Sequence, residues 1–263
     1  MSYIEMRDHD YHSLPHLSQS KLKKLVGVNW PQFQAALKVE YSSQSFRLGK
    51  LAHEINLQDK DILEMDCFTK LDGRSKDGKA QAKSLEGREN YIWEDEKDAL
   101  VKMKANFVAS REANAIMNVA TNIEGTGLIK IHNQYNPENP VDFKFRPDIV
   151  GVDFLADFKT IGEFATDSHI RIHLRKYKYQ FQAAAYLAGH QVLTGKVIKN
   201  FYLIFQESIE PYGVRVIQIP QHELEYGFDL FDDTLKKYLK CAHDESKHSP
   251  NYTGISEILI NEI

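Results

Sequence analysis

The order of segments along the chain predicts an α/β fold: a central mixed β-sheet flanked by helices, with a helical elaboration before it. Two observations lead there. Three runs of strand character, Gly127 to His132, Val141 to Val150 and Val152 to Thr160, precede a helix and two more strands, an order that a mixed sheet accommodates. Upstream, from Ser18 to Met117, apolar residues recur mainly at helical spacing. With 263 residues and 42% apolar content the chain can bury a sizeable core. One domain over 1–263 is expected, with a helical part over about 17–120, a core over about 125–220 and a closing helix over about 223–242.

Each element has a local reason. Ser18 or Ser20, ahead of the apolar Leu22 and Leu25, can accept from an early backbone N–H and so start a helix. A second short helix follows Pro31. Arg47 to Leu57 carries Leu48, Leu51, Ala52 and Ile55 on one stripe, with Gly49 and His53 four apart on a common side. Thr69 to Gly87 is polar, lysine-rich and without a sustained period, and reads as a mobile loop or lid. Glu94 to Met117 returns to a helical period. Asn136-Pro137-Glu138-Asn139-Pro140 is a turn, and Gly151-Val152-Asp153 folds the second and third strands into a β-hairpin. Tyr177 to Gly189 is a helix ended by its glycine. Asn200 to Gln206 and Gly213 to Ile219 are strands joined at Glu210-Pro211-Tyr212-Gly213, a long helix runs from Glu223 to Ala242, and the tail from Asp244 packs loosely.

Composition excludes several classes. No apolar run is long enough to span a bilayer, and MSYIEMRDHD lacks the basic start and apolar segment of a leader, so a cytoplasmic protein is expected. Two cysteines, Cys67 and Cys241, suggest neither a disulfide framework nor a cysteine-held metal or iron–sulfur centre. The formal charge of −4 gives no global excess of cations for a polyanionic partner, but basic residues cluster locally at Lys21 to Lys24, Arg74 to Lys83 and Arg171 to Lys178.

Chemistry concentrates at Arg146-Pro147-Asp148 and Asp157-Phe158-Lys159-Thr160. Asp157 and Lys159 are two apart on a strand, so their side chains leave one face while Phe158 points into the core. Asp148 falls near the end of the neighbouring strand. Two carboxylates and an ammonium converging there can hold a hard divalent cation and place a water beside it, as metal-dependent phosphodiester hydrolysis requires. A salt bridge between Asp157 and Lys159 is the plain alternative. Lys144 and Arg146 share the side of Asp148 by alternation and either contact a DNA backbone or serve solubility.

This motif resembles the PD-(D/E)XK nucleases, with Asp157 where many have Glu. Leu17-Ser18-Gln19-Ser20-Lys21-Leu22-Lys23, Trp30-Pro31-Gln32-Phe33, Ser45-Phe46-Arg47-Leu48-Gly49-Lys50-Leu51-Ala52-His53-Glu54 and Tyr177-Lys178-Tyr179-Gln180-Phe181-Gln182-Ala183-Ala184-Ala185-Tyr186 are similar, in order, to the exodeoxyribonuclease VIII family of phage and prophage exonucleases. The resemblance runs from about Leu17 to Tyr202 and implies a PD-(D/E)XK core.

The resemblance also implies roles. Asp148, Asp157 and the Phe158 carbonyl would hold magnesium (Mg2+), with manganese (Mn2+) a possible substitute, and Lys159 would position or help deprotonate the attacking water. His53 would be a further ligand, with Glu54 its competitor. Gln182 would bond near Lys159 and the substrate, and Tyr179 and Tyr186 would line the groove, unless Tyr186 is simply core. Independently of the resemblance, Ser18, Ser20 and Lys21 stand at a helix N-terminus whose unpaired N–H groups favour a phosphate, although a helix cap explains the serines equally well. The expected activity is digestion of one strand of double-stranded DNA from its 5′ ends by a ring-shaped homo-oligomer, exposing single strand for an annealing protein. An endonuclease or repair nuclease of the same fold, or a non-catalytic DNA-end-binding protein, are the alternatives.

Overall fold

The computed structural model describes residues 2–39, 44–58, 69–84 and 91–242. The first part of the chain contains α1 (Asp8–Ser13), β1 (Leu17–Ser18), α2 (Gln19–Lys23), α3 (Trp30–Leu37), α4 (Gln44–Leu57), β2 (Thr69–Leu71), α5 (Lys76–Ser84) and β3 (Tyr91–Trp93). α6 (Glu94–Ala109), α7 (Arg111–Met117), β4 (Asn122–Ile123), β5 (Gly127–Ile131), β6 (Val141–Phe145), β7 (Ile149–Val150) and β8 (Phe154–Ile161) follow. The last elements are α8 (Asp167–Tyr177), α9 (Tyr179–Thr194), β9 (Asn200–Glu207), β10 (Val214–Gln218) and α10 (Gln221–Cys241).

The main sheet is five-stranded, ordered β10-β9-β8-β7-β4. It is mixed, parallel between β8 and β9 and antiparallel at its other pairings. A smaller sheet is ordered β1-β6-β5. β8 is central and buried on both faces. Leu155, with Leu203 and Phe205 of β9, packs into the cluster that holds Phe181, Ala184 and Leu187 of α9. Ala156 and Phe158 pack on the opposite side with Leu51 and Ile55 of α4 and Leu100, Met103 and Phe107 of α6. Each large side chain so buried contributes about 1.5–3 kcal/mol. A sheet between two helical layers is the α/β architecture its segment order predicts.

Several boundaries differ from the sequence expectation, each for a local reason. Val141 to Val150 is not one strand. β6 pairs with β5 and β1, the ladder stops at Arg146-Pro147-Asp148, and β7 joins the main sheet, where it alone forms the hairpin with β8. Pro147 has no N–H to give a ladder, so the chain changes sheets there. Glu94 to Met117 is two helices, because Ser110 accepts from Ala113 N and caps a new start. Thr69 to Ser84, expected as loop, holds β2 and α5. α8 fills the expected loop before Tyr177, capped by Thr166 with Ile170 and Leu174 facing inward.

α9 does not end at Gly189. A Cβ there would lie 2.8 Å from the Phe145 ring, so this glycine permits close packing, and the helix stops instead at left-handed Gly195 (φ 75°). Cys67, the last residues of the expected lid and the tail from Asp244 lie outside the described residues. Among the described residues no helix is long and apolar enough to cross a membrane.

Candidate active site

The change of sheet at Pro147 leaves Asp148 just ahead of β7, beside β8. The Phe158 N–H donates to Asp148 Oδ2 at 2.7 Å, which holds this carboxylate against the neighbouring strand. Asp157 lies inside β8, paired in register with Leu203, and is only 2% exposed. It does not sit at a solvent-facing strand end. Alternation sends Asp157 and Lys159 toward α9 and Phe158 toward α4 and α6. Lys159 forms an ion pair with Asp157 Oδ2, while its Nζ stands 5.0 Å from the centre of the Tyr179 ring.

α9 supplies the opposite wall. Gln182 Nε2 donates to Asp157 Oδ1 at 2.7 Å and lies 3.3 Å from the Tyr186 hydroxyl, so the amide fixes the carboxylate from the helix side. Tyr179 and Tyr186 are both largely buried, and both line the cavity. Burial pushes the Tyr179 phenol up to about 12 and Tyr186 well above its ordinary value, so neither offers a phenolate at neutral pH.

α4 brings His53 in from the other layer. Gly49 makes the approach possible, since a Cβ there would meet Thr160 Oγ1 at 2.7 Å. His53 Nε2 lies 3.1 Å from Asp148 Oδ1, and Nδ1 lies 3.5 Å from Glu124 Oε1. Glu124 has no part in the motif read from sequence. It stands in the left-handed region (φ 51°), and its N–H donates to the Asp148 carbonyl at 2.8 Å. Its only sequence signal was Glu124-Gly125, a turn before β5. Glu54 also lines the cavity, but the described contact with Asp148 is made by His53.

These residues border a cavity of about 1160 Å³ that also reaches Gln19, Lys23 and Lys50. Burial pushes the Asp157 carboxyl up, and the charge of Asp148 adds to this, bringing it to about 6 despite Lys159. Burial opposes ionisation of Asp148 too, but His53, Lys159 and the Phe158 N–H hold it below the usual range. Burial likewise works against protonated His53, yet Asp148 and Glu124 outweigh it and lift the imidazole to about 9. Lys159 remains protonated because Asp157 overcomes its desolvation.

The donors suit a hard divalent cation: carboxylates from Asp148, Asp157 and Glu124 and an imidazole from His53 border one cavity. In the present arrangement the positive charge between Asp148 and Glu124 is the imidazolium of His53. Among the described residues no group of three or more such side chains is already arranged around a metal position. The fit is therefore one of donor chemistry and charge.

Other residues expected at the site have different surroundings. Ser18 caps α2, accepting from Lys21 N, and Ser20 bonds to Ser18 at 2.9 Å. Lys21 Nζ donates to the His16 carbonyl at 3.1 Å. Arg146 is 8% exposed and donates to Thr126 Oγ1 at 3.0 Å, Met6 O at 3.0 Å and Asp8 Oδ1 at 3.4 Å. Lys144 is 2% exposed and donates to Leu14 O at 2.9 Å and to Tyr11 O. Both cations flank the Tyr11 ring. They tie the N-terminal segment to β6 instead of facing outward as alternation along a single strand implies.

A family model described as a PDDEXK-like domain of unknown function (DUF3799) matches residues 18–262. The chain belongs to this family. A candidate exonuclease from Eubacterium rectale has the same fold, with 12% identity, a TM-score of 0.61 and coverage of 98% of this chain and 97% of that one. An alkaline exonuclease from Laribacter hongkongensis aligns at 10% identity and a TM-score of 0.34, over 89% of this chain and 94% of that one. A phage-related exonuclease from Haemophilus somnus aligns at 12% identity and 0.33, over 89% and 96%. No curated protein matches the chain.

Proposed function

We propose that this PDDEXK-like protein is a metal-dependent exodeoxyribonuclease that hydrolyses double-stranded DNA from its ends, 5′ to 3′, leaving single strand for recombination. The observation that carries the reading is the convergence of Asp148, Asp157, Lys159 and His53 from three elements on one cavity. The similarity in fold to the Eubacterium rectale protein agrees with it.

Asp148, Asp157, His53 and the Phe158 carbonyl would hold Mg2+, or Mn2+ in its place. When bound, the cation supplies charge that stabilises the phosphoryl oxygens and acidifies water. Lys159 holds the attacking water and offsets the phosphate charge. Gln182 keeps Asp157 oriented. Tyr179 carries the ammonium of Lys159 on its ring face and so limits where that charge can stand. Ser18, Ser20, Lys21 and Tyr186 border the strand's path in this reading, whereas the bonds of Arg146 favour a structural duty. The working enzyme is a ring-shaped homo-oligomer of single-domain chains, paired with a single-strand annealing protein in the bacterial cytoplasm.

End-labelled linear duplex and covalently closed circular DNA, incubated with Mg2+ at several salt concentrations, test the proposal. Linear DNA should shorten progressively from 5′-phosphorylated ends, and digestion should slow steeply with salt. Efficient cutting of the closed circle would make the protein an endonuclease; binding to ends without cleavage would make it an end-binding protein.

A further inference from the structure

Gln19 and Lys23 lie four residues apart on α2 and both line the cavity, as do Lys159, Tyr177 and Tyr179. Neither belongs to the donor set for a cation. Lys23 is half-buried, and its Nζ donates to the Tyr177 carbonyl at 2.9 Å. That carbonyl ends α8, where Lys178 turns left-handed (φ 52°) and the chain re-enters a helix as α9. The charges that act on Lys23 come from Lys159, Asp157 and Lys178: two cations and one carboxylate. Burial, reinforced by Lys159, lowers its ammonium to about 8.

Asp157 is already engaged by Lys159 and Gln182. Positive charge on this side of the cavity therefore exceeds what the protein's own carboxylate answers. Gln19 adds an unspent group, since it is 9% exposed and its Oε1 has no hydrogen-bond partner among the described residues. A half-turn of that amide would present N–H donors in place of the oxygen. The Lys23 ammonium retains two hydrogens beyond its bond to Tyr177. Surplus cationic charge and amide donors beside Lys159 match a second phosphodiester of the strand.

We propose that Lys23, assisted by Gln19, grips the phosphate adjacent to the scissile one, so that α2 sets the strand in line with Lys159. This deepens the nuclease reading and rests on it. Lys23 is a binding residue here; its bond to the end of α8 would by itself be only a helix cap, and the test must separate the two.

The full-length protein is titrated with a fluorescein-labelled duplex oligonucleotide in EDTA at several salt concentrations, as wild type, Lys23→Gln and Lys23→Arg. Lys23→Gln should weaken binding about 10-fold and reduce the slope of log affinity against log salt by about one, as loss of one phosphate contact requires. Lys23→Arg should keep the slope. A neutral methylphosphonate walked along the strand should weaken the wild type at one position and leave Lys23→Gln unchanged there. In steady-state digestion with Mg2+, Lys23→Gln should raise KM about 10-fold and alter kcat less than about twofold.

A lowered melting temperature with unchanged salt slope would reduce Lys23 to a cap and overturn the proposal, as would a methylphosphonate scan identical in both proteins. The binding differences between wild type and Lys23→Gln, found in a protein that digests no DNA, would sink the nuclease reading and leave the subsite standing. Wild type that binds no DNA would end both.

Discussion

Asp157→Asn should make the metal-free protein more stable above neutral pH while removing its activity. The carboxyl is 2% exposed, and burial with the charge of Asp148 raises it from 3.8 to about 6. A folded pKa above the unfolded one means a contribution fully present below 3.8 and lost as pH rises through about 6. A rise of that size corresponds to on the order of a few kcal/mol of strain carried by the ionised form at pH 8. Asn keeps an oxygen for Gln182, and its loss of the Lys159 ion pair is already contained in the net rise of the carboxyl to about 6. A net stabilisation of about 1–2 kcal/mol is expected, or about 2–8 °C in melting temperature for a chain of this size. Thermal melts in EDTA at pH 4.5 and pH 8 provide the check. The gain should be largest at pH 8 and shrink to a fraction of that at pH 4.5. Saturating Mg2+ at pH 8 should then raise the wild type by about 2–3 kcal/mol and Asp157→Asn much less, since only a cation that binds the folded state adds RT ln(1 + [L]/Kd). A variant less stable than wild type at pH 8, or equally shifted at both pH values, would refute the account of Asp157 as a strained carboxylate awaiting a cation.

Lys159→Ala should retain its circular dichroism spectrum and fall below a tenth of wild-type digestion, because it removes the charge held between Asp157 and the Tyr179 ring. His53→Ala should raise the Mg2+ or Mn2+ concentration needed for half-maximal activity about 10- to 100-fold with little change in DNA affinity, whereas Glu54→Ala should stay near wild type; the reverse pattern would transfer the ligand role to Glu54. In metal-free protein the pairing of His53 with Asp148 and Glu124 stabilises below pH 6.5 and is lost as pH rises through about 9, so His53→Gln should flatten stability across that window in denaturant titrations. Arg146→Met should cost about 2–4 kcal/mol, because Met6 O and Thr126 Oγ1 would lose a buried charged donor.

The parts of the site legible in the sequence were those fixed by strand alternation. Asp157 and Lys159 must share a face of β8 and Phe158 must oppose them, whatever surrounds the strand. The four-residue spacings of Gly49 with His53 and of Gln182 with Tyr186 were equally secure, because α4 and α9 are regular where these residues lie. What alternation could not foresee was the sheet change at Pro147. Extrapolated through one strand, Lys144, Arg146 and Asp148 share a face. In the fold the first two serve the small sheet and the third serves the main one. Glu124 was invisible for a related reason: a lone glutamate in a left-handed turn is brought to His53 by its backbone bond to Asp148, which no local pattern signals. α8 was missed because its outer face carries Arg171, Arg175 and Lys176, which obscured the inward pair Ile170 and Leu174.

The same sheet change gives the N-terminal segment its place at the site. Two buried cations, Lys144 and Arg146, donate to carbonyls of Met6, Tyr11 and Leu14 and flank the Tyr11 ring, so this segment is held by charged donors taken out of water. Ile4 adds a bridge to Thr126 in both directions, with bonds of 3.0 Å each. Met6, Arg7, Asp8 and His12 line the cavity as a consequence, although the family match begins only at residue 18. Asp8 is also 3.6 Å from Lys50 on α4, one turn before His53, so the segment is joined to the helix that presents the imidazole. Loosening that tie should therefore disturb how His53 meets Asp148 as well as global stability. In Arg146→Met the metal requirement for digestion should rise along with the loss in melting temperature. A variant that melts earlier yet uses Mg2+ as the wild type does would confine the segment to a purely structural part.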